Sequence, residues 1–197
     1  MEDASFNYYK NALLSNLCEE YKAEWRAKRN DKLALMKLAL KQQSIPHCAT
    51  FAYQGKGITK EYMLKEFGDY LNGYVVNDAD NVKGYTYTWY VGYDYDNDID
   101  VTCDVTHISW TKNKTLVVPQ CRCPIIHISN KSKVRILCEG WNSLIIHLYD
   151  ESEVTIDDAD EHSKVFVYQY SDKVKVSEGK YNFATICKRE RNIKDFV

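Results

Sequence analysis

Between Pro124 and Tyr181 the chain repeats itself every twenty residues. Ile126, Ile146 and Phe166 fall in one column, and Ile128, Leu148 and Tyr168 in a second. Val134, Val154 and Val174 make a third, and Ile136, Ile156 and Val176 a fourth. Four apolar columns in one register over three periods limit the fold more than any other feature. Apolar residues at i and i+2 mark a strand with one buried face. Turn-forming residues separate the strands: Ser129-Asn130-Lys131-Ser132, Tyr149-Asp150-Glu151-Ser152 and Tyr170-Ser171-Asp172-Lys173. One period is therefore strand, turn, strand, turn. That is too short for a four-stranded propeller blade and suits one rung of a β-solenoid, with rungs stacked about 4.8 Å apart. An antiparallel β-sandwich, in which hairpins recur, is the alternative.

The period reaches beyond its clearest copies. His107-Ile108-Ser109 matches His127-Ile128-Ser129, and Leu116 falls on the Ile136 column, while Lys114 breaks the Val134 column. On the far side Ile186 falls on the Phe166 column before Lys188-Arg189-Glu190-Arg191 ends the pattern. Degenerate outer rungs are expected, because the ends of a solenoid must not present an open ladder. Upstream, Phe6, Tyr9, Leu13, Leu17, Tyr21 and Trp25 form one apolar helical stripe. Asn30-Asp31 predicts a break and the cap of a second helix closed by Pro46, with one long helix as the alternative. Thr59 predicts the N-cap of a third. The fold class expected is α+β: a helical N-terminal domain over residues 1–76, then a tyrosine-rich transition and β-solenoid over 77–197. The helical part would cap the solenoid.

The net charge of −2 gives no electrostatic footprint for nucleic acid. Met1-Glu2-Asp3 opens no secretory leader, and no run suits a membrane span. Seven cysteines, an odd number without scaffold spacing, are expected as reduced thiols. Sixteen tyrosines read as strand packing.

His107, His127 and His147 are spaced by twenty, so a solenoid stacks them as an outward ladder, while Ile108, Ile128 and Leu148 point in. Such a ladder either shares a metal or senses pH, or it is a copied set of neutral surface rings. Val167 would end it. Cys103, Cys121 and Cys123 raise a zinc site, but Cys and His four residues apart on a strand lie about 13 Å apart, and buried thiols are the plainer reading. Asp94, Asp96, Asp98 and Asp100 alternate like the start of a calcium loop, without its glycine and glutamate. Residues 142–161 hold Asp150, Glu151, Glu153, Asp157, Asp158, Asp160 and Glu161 with no lysine or arginine. This acidic rung is a candidate binding surface, or a solvated face. Asp157, Asp158 and Asp160 can also be read as glycan-cleaving acids on an outer face. No nucleophile elbow, phosphate loop or His-Glu-x-x-His motif is present, and no cofactor is implied.

The rungs Ser132-Lys-Val-Arg-Ile136, Ser152-Glu-Val-Thr-Ile156 and Asp172-Lys-Val-Lys-Val176 resemble the short tandem β-solenoid modules of gut Bacteroidetes phages and mobile elements. The resemblance covers residues 100–187 and lies at the level of the fold. It implies a non-enzymatic structural or protein-interaction protein with a protein partner, in the bacterial host cytoplasm or the virion, with homo-oligomers open. The alternatives are an anti-defence inhibitor of a host enzyme acting through the acidic rung, and a glycan-binding or glycan-cleaving protein. No catalytic residue carries over.

Overall fold

The computed structural model describes Lys10, Leu13 and residues 19–41, 59–77, 84–158 and 163–179. Among the described residues three helices come first: α1 (Glu19–Ala27), α2 (Lys32–Lys41) and α3 (Lys60–Phe67), the last followed by a 3-10 turn at Gly68–Tyr70. Eleven strands among the described residues follow: β1 (Val75–Asn77), β2 (Thr86–Val91), β3 (Ile99–Asp100), β4 (Val105–Ser109), β5 (Lys112–Val118), β6 (Ile125–Ser129), β7 (Lys133–Cys138), β8 (Ser143–Leu148), β9 (Glu153–Asp158), β10 (Lys164–Gln169) and β11 (Lys175–Glu178).

The strands alternate between two sheets. Sheet A has the order β1-β2-β4-β6-β8-β10, and sheet B the order β11-β9-β7-β5-β3. Every pairing is parallel except β1 with β2. A parallel ladder between strands twenty residues apart is a coil, and the chain completes about four turns. The antiparallel sandwich is not what forms. Ile108, Ile128, Ile146 and Leu148 from sheet A meet Leu116, Val134, Ile136 and Ile156 from sheet B in one buried cluster, each 4% exposed or less. This aliphatic core binds the two sheets, because each inward side chain sheds its water against the opposite strand.

The turns repeat as faithfully as the strands. Asn130 and Asp150 sit at φ 54 and 57, the left-handed region that Asn and Asp tolerate better than most residues. Ser132 Oγ donates to the Ser129 carbonyl at 2.6 Å, and Ser152 Oγ to that of Tyr149 at 2.7 Å. At the other corner Gly140 adopts φ 77, where an added Cβ would meet Gln120 Cγ at 2.9 Å. The buried Asn142 amide there donates to the carbonyls of Val118, Glu139 and Gly140.

The register departs from a strict twenty at both ends: the first turn is shorter, pairing Tyr87 with Val105 and Ile99 with Leu116, and the last is longer. Ile126 pairs with Ile146, but Ile146 pairs with Val167, and Ile145 with Phe166. Val167 is therefore the buried core residue, and Phe166 faces outward, half-buried. Likewise Val154 pairs with Val176 and Ile156 with Glu178, so Val174 lies ahead of the strand. One extra residue is taken up between β9 and β10, and another in the turn before β11. Turns can lengthen without disturbing the ladder, whereas a slip within a strand would turn its core residues outward. Lys114 does stand opposite Val134, next to a bulge at Asn113. It keeps its ammonium outside by donating to the Tyr95 carbonyl and lying 6.0 Å from the Tyr93 ring centre. Ile186 and Lys188–Arg191 lie outside the described residues.

The helices lie on the outward face of sheet A. Trp25, Leu35, Met36, Leu40, Met63 and Phe67 share a buried cluster with Tyr87, Trp89, Val105, Tyr149 and Tyr170. The helices therefore cover a sheet face. Asp31 caps α2 by accepting the Ala34 N–H at 2.9 Å, and Thr59 caps α3 by accepting that of Tyr62 at 3.1 Å. Turn residues Lys28–Asn30 separate α1 from α2, so the single long helix is not formed. Lys32 Nζ joins α2 to α3 through the buried Glu66 carboxylate at 2.9 Å. Among the described residues no helix is long and apolar enough to cross a membrane.

The shifted register has a direct test. Ile146→Ala should cost about 2–5 kcal/mol in urea unfolding, as a core truncation. Val167→Asp should abolish cooperative unfolding, while Phe166→Asp should leave it intact. The reverse order for the last pair would restore the strict twenty-residue register.

Candidate functional site

Strand alternation sends Ile108, Ile128 and Leu148 inward and the intervening histidines outward. The parallel register then stacks His107 on His127 and His127 on His147. Their ring centres are 4.3 and 4.6 Å apart, with planes 10° and 11° from parallel. The stack does not stop at Val167. The twenty-one-residue step brings Tyr168 onto His147 at 5.1 Å, and Trp89 closes the other end edge-on against His107 at 5.8 Å.

The ladder points away from the solenoid core, as its spacing predicts, but it is no surface feature. His107 and His127 are 1% and 3% exposed. They share the outward face of sheet A with Tyr87, Trp89 and Tyr149, which pack into the cluster formed with the helices. A second outward column runs beside them. Trp89 Nε1 donates to Ser109 Oγ at 3.1 Å, and Ser109 Oγ lies 3.0 Å from Ser129 Oγ. Further along, the Tyr149 and Tyr170 rings stack at 4.8 Å. The columns are cross-linked one rung apart, with His127 Nδ1 and His147 Nδ1 each 3.0 Å from the hydroxyls of Tyr149 and Tyr170 respectively.

These surroundings fix the protonation of the ladder. Burial holds His107 and His127 well below the usual imidazole range, and other histidines of the ladder (His147 for the first, His107 and His147 for the second) add to this. Burial lowers His147 to about 4. It also pushes the Tyr149 phenol well up, with Tyr170 and Asp150 adding to it. The imidazoles are thus neutral, and His107 Nε2 is buried without a hydrogen-bond partner among the described residues. Near-parallel stacked rings carry their nitrogen lone pairs in separate planes, so they do not converge on one ion. Among the described residues no group of three or more His, Cys, Asp or Glu is placed to hold a metal. Cys103 is buried, its thiol pushed up chiefly by desolvation, while Cys121 and Cys123 are exposed. In the aspartate loop, Asp98 Oδ1 accepts the Thr115 N–H at 3.3 Å.

The acidic rung occupies the middle of a charge lattice on the outward face of sheet B and its flanking turns. Glu151 sits between Lys131 at 3.5 Å and Lys173 at 3.4 Å. Glu153 sits between Lys133 at 3.1 Å and Lys175 at 2.9 Å. Arg135 pairs with Asp157. The hydrogen bond from Lys173, with the charge of Lys131, holds the Glu151 carboxyl below its usual range. Lys175 and Lys133 do the same for Glu153. Asp150 Oδ2 turns inward along the ladder to accept the Asn130 N–H at 2.9 Å. Asp158 ends β9, and Asp160 and Glu161 lie outside the described residues. The structure thus gathers Glu151, Glu153 and Asp157 into one row and keeps the histidines on the opposite sheet. The flanking cations lie outside the acidic segment in the chain, on the rungs before and after it. Their signal is present in the sequence: Lys131 and Lys133 precede Glu151 and Glu153 by one rung.

Comparison with protein-family models, with curated proteins and with solved structures finds no match to this chain.

The ladder predicts acid sensitivity. Unfolded histidine titrates near 6.5, and in the fold all three are depressed, His147 to about 4. The unfolded chain therefore binds more protons below pH 6.5. The stability present above that value is lost as the pH falls through the window from 6.5 towards 4. At the lower end each imidazole contributes a slope approaching about 1.4 kcal/mol per pH unit. His107→Phe removes the nitrogen that lacks a partner and one titrating group. Urea unfolding at a series of pH values should show stability retained at pH 7 and the acid slope reduced by about a third. An unchanged slope would remove His107 from the buried neutral set.

Proposed function

We infer that the chain is a non-enzymatic interaction protein that presents a rigid β-solenoid face to a protein partner. The observation that carries this reading is the charge lattice of sheet B. Its ionic side chains are held in fixed rows by partners one rung away, and the parallel ladder fixes those rows in turn. A surface patterned in this way is preorganised for docking, so little side-chain order remains to be imposed on binding. The titratable groups with the largest shifts, the three histidines and Tyr149, are spent on each other beneath the helices. They support stability rather than proton transfer to a solvent-borne substrate. An origin in a phage or mobile element, with the host cytoplasm or virion as the place of action, belongs to the same reading and follows from the resemblance of the rungs. Inhibition through the acidic rung alone has less support, because cations flank its carboxylates on either side.

The reading is tested by passing the purified chain over bacterial host lysate and sizing the eluate by mass photometry. One protein retained at defined stoichiometry through physiological salt is the expected result. Release of sugars from a glycan panel, or a monomer that retains nothing from host or virion extracts, would overturn it.

A further inference from the structure

The salt-bridged face of sheet B is not electrically even. Lys131, Lys133, Arg135, Lys173 and Lys175 have side chains 55–74% exposed, whereas Glu151, Glu153 and Asp157 are 20–44% exposed. The carboxylates are sunk between cations that stand above them. Glu151 and Glu153 each face two lysines, one on either neighbouring rung, and Lys112 stands opposite Lys133 one rung further back. The exposed tips of this face are cationic, although the chain as a whole carries −2.

The cations are also in register. Lys131, Lys133 and Arg135 follow one another at i, i+2 and i+4, and the last two project from the same face of β7. Extended backbone rises about 3.3 Å per residue, so Lys133 and Arg135 stand ~6.6 Å apart along β7, while Lys131 sits in the turn before it at φ 59. A second cationic row, Lys173 and Lys175, runs parallel to it two rungs away, at about 9.6 Å. An extended peptide with carboxylates at alternate positions has the same ~6.6 Å repeat. Laid along β7, it would set one carboxylate over Lys133 and the next over Arg135, whose guanidinium offers a planar two-pronged donor.

We propose that the outward face of sheet B binds an extended acidic segment of a partner protein, with Asp or Glu at alternating positions over Lys133 and Arg135, and with Lys131 and Lys173 in the neighbouring turns adding positive charge. This assignment rests on the reading of the chain as an interaction protein and specifies the partner chemistry. The recessed acids have a role in it. Glu153 holds Lys133 and Lys175 in place before binding, and Asp157 holds Arg135. Neighbouring acids also lower the cost of crowding like charges on one face. Attraction of this kind gives register and encounter rate, and it weakens with salt.

The test uses fluorescence anisotropy with the full chain at low ionic strength. One labelled peptide has six Glu-Thr repeats. A second has the same composition with its glutamates in one block, and a third probe is oligothymidylate. The alternating peptide should bind several-fold tighter than the blocked one, and salt should weaken it. Lys133→Gln with Arg135→Gln should weaken it by about tenfold or more, while Lys164→Gln on sheet A should leave it unchanged. The double glutamine variant leaves Glu153 paired with Lys175, so its fold is expected to persist, as a thermal melt would show. If the double variant melts early, Lys131→Gln with Lys173→Gln reads the same face. Equal binding of the two peptides, indifference to the face variants, or a preference for oligothymidylate would overturn the proposal. A lysate partner whose capture survives Lys133→Gln with Arg135→Gln would also overturn it while leaving the interaction reading in place.

Discussion

The parallel ladder between successive rungs is the interaction on which the rest depends. It places each residue about 4.8 Å from its counterpart one turn away, so whatever occupies a column must tolerate its own kind as a neighbour. Aliphatic side chains do so readily, and Ile126, Ile146 and Val167 stack inside the coil. Imidazoles do so only while neutral, and burial, which depresses all three stacked histidines, keeps them in that form. Ammonium groups do so only at a cost. Over the last three rungs the charged column therefore alternates, Lys133 to Glu153 to Lys175, although Lys112 stands against Lys133 one rung earlier, where the apolar columns merely repeat. Core, buried ladder and surface lattice are three answers to one constraint.

Much of this was legible in the sequence. Columns at Ile126, Ile136 and Val134 gave the coil because aliphatic side chains pack equally well in every rung. The last turn misled because both of its faces are apolar. Phe166 and Tyr168 pack outward while Val165 and Val167 pack inward, so a strict count of twenty selected the wrong alternate set. Only the opposite sheet identifies the buried one. The helical cover escaped for a different reason. A repeat states which way His107 points relative to the core, but not that Trp25 and Phe67, far upstream, join the layer over the same sheet face.

The charge lattice shows the same limit. Read in chain order, residues 142–161 are an acidic segment. Folded, each of Glu151 and Glu153 lies nearer to lysines some twenty residues before and after it than to most of its sequence neighbours. In a coil, proximity follows the period rather than the chain, and local composition is a poor guide to local potential. A single exposed pair of this kind contributes little to stability, so the lattice matters more for where charge stands than for how firmly the coil is held.

The alternating rows also bear on how the chain avoids its own near-misses. Coils built from similar rungs can assemble with one turn skipped, since the aliphatic columns would fit almost as well after such a deletion or slip. Here, removing the middle turn would bring Lys131 and Lys133 directly against Lys173 and Lys175, with the intervening carboxylates gone. Histidine would still meet an aromatic ring, and isoleucine would still meet valine. Only the outer charges would object. The surface lattice thus weighs against loss of the middle turn, but only modestly, since Lys112 already stands against Lys133 and exposed charges are screened by salt.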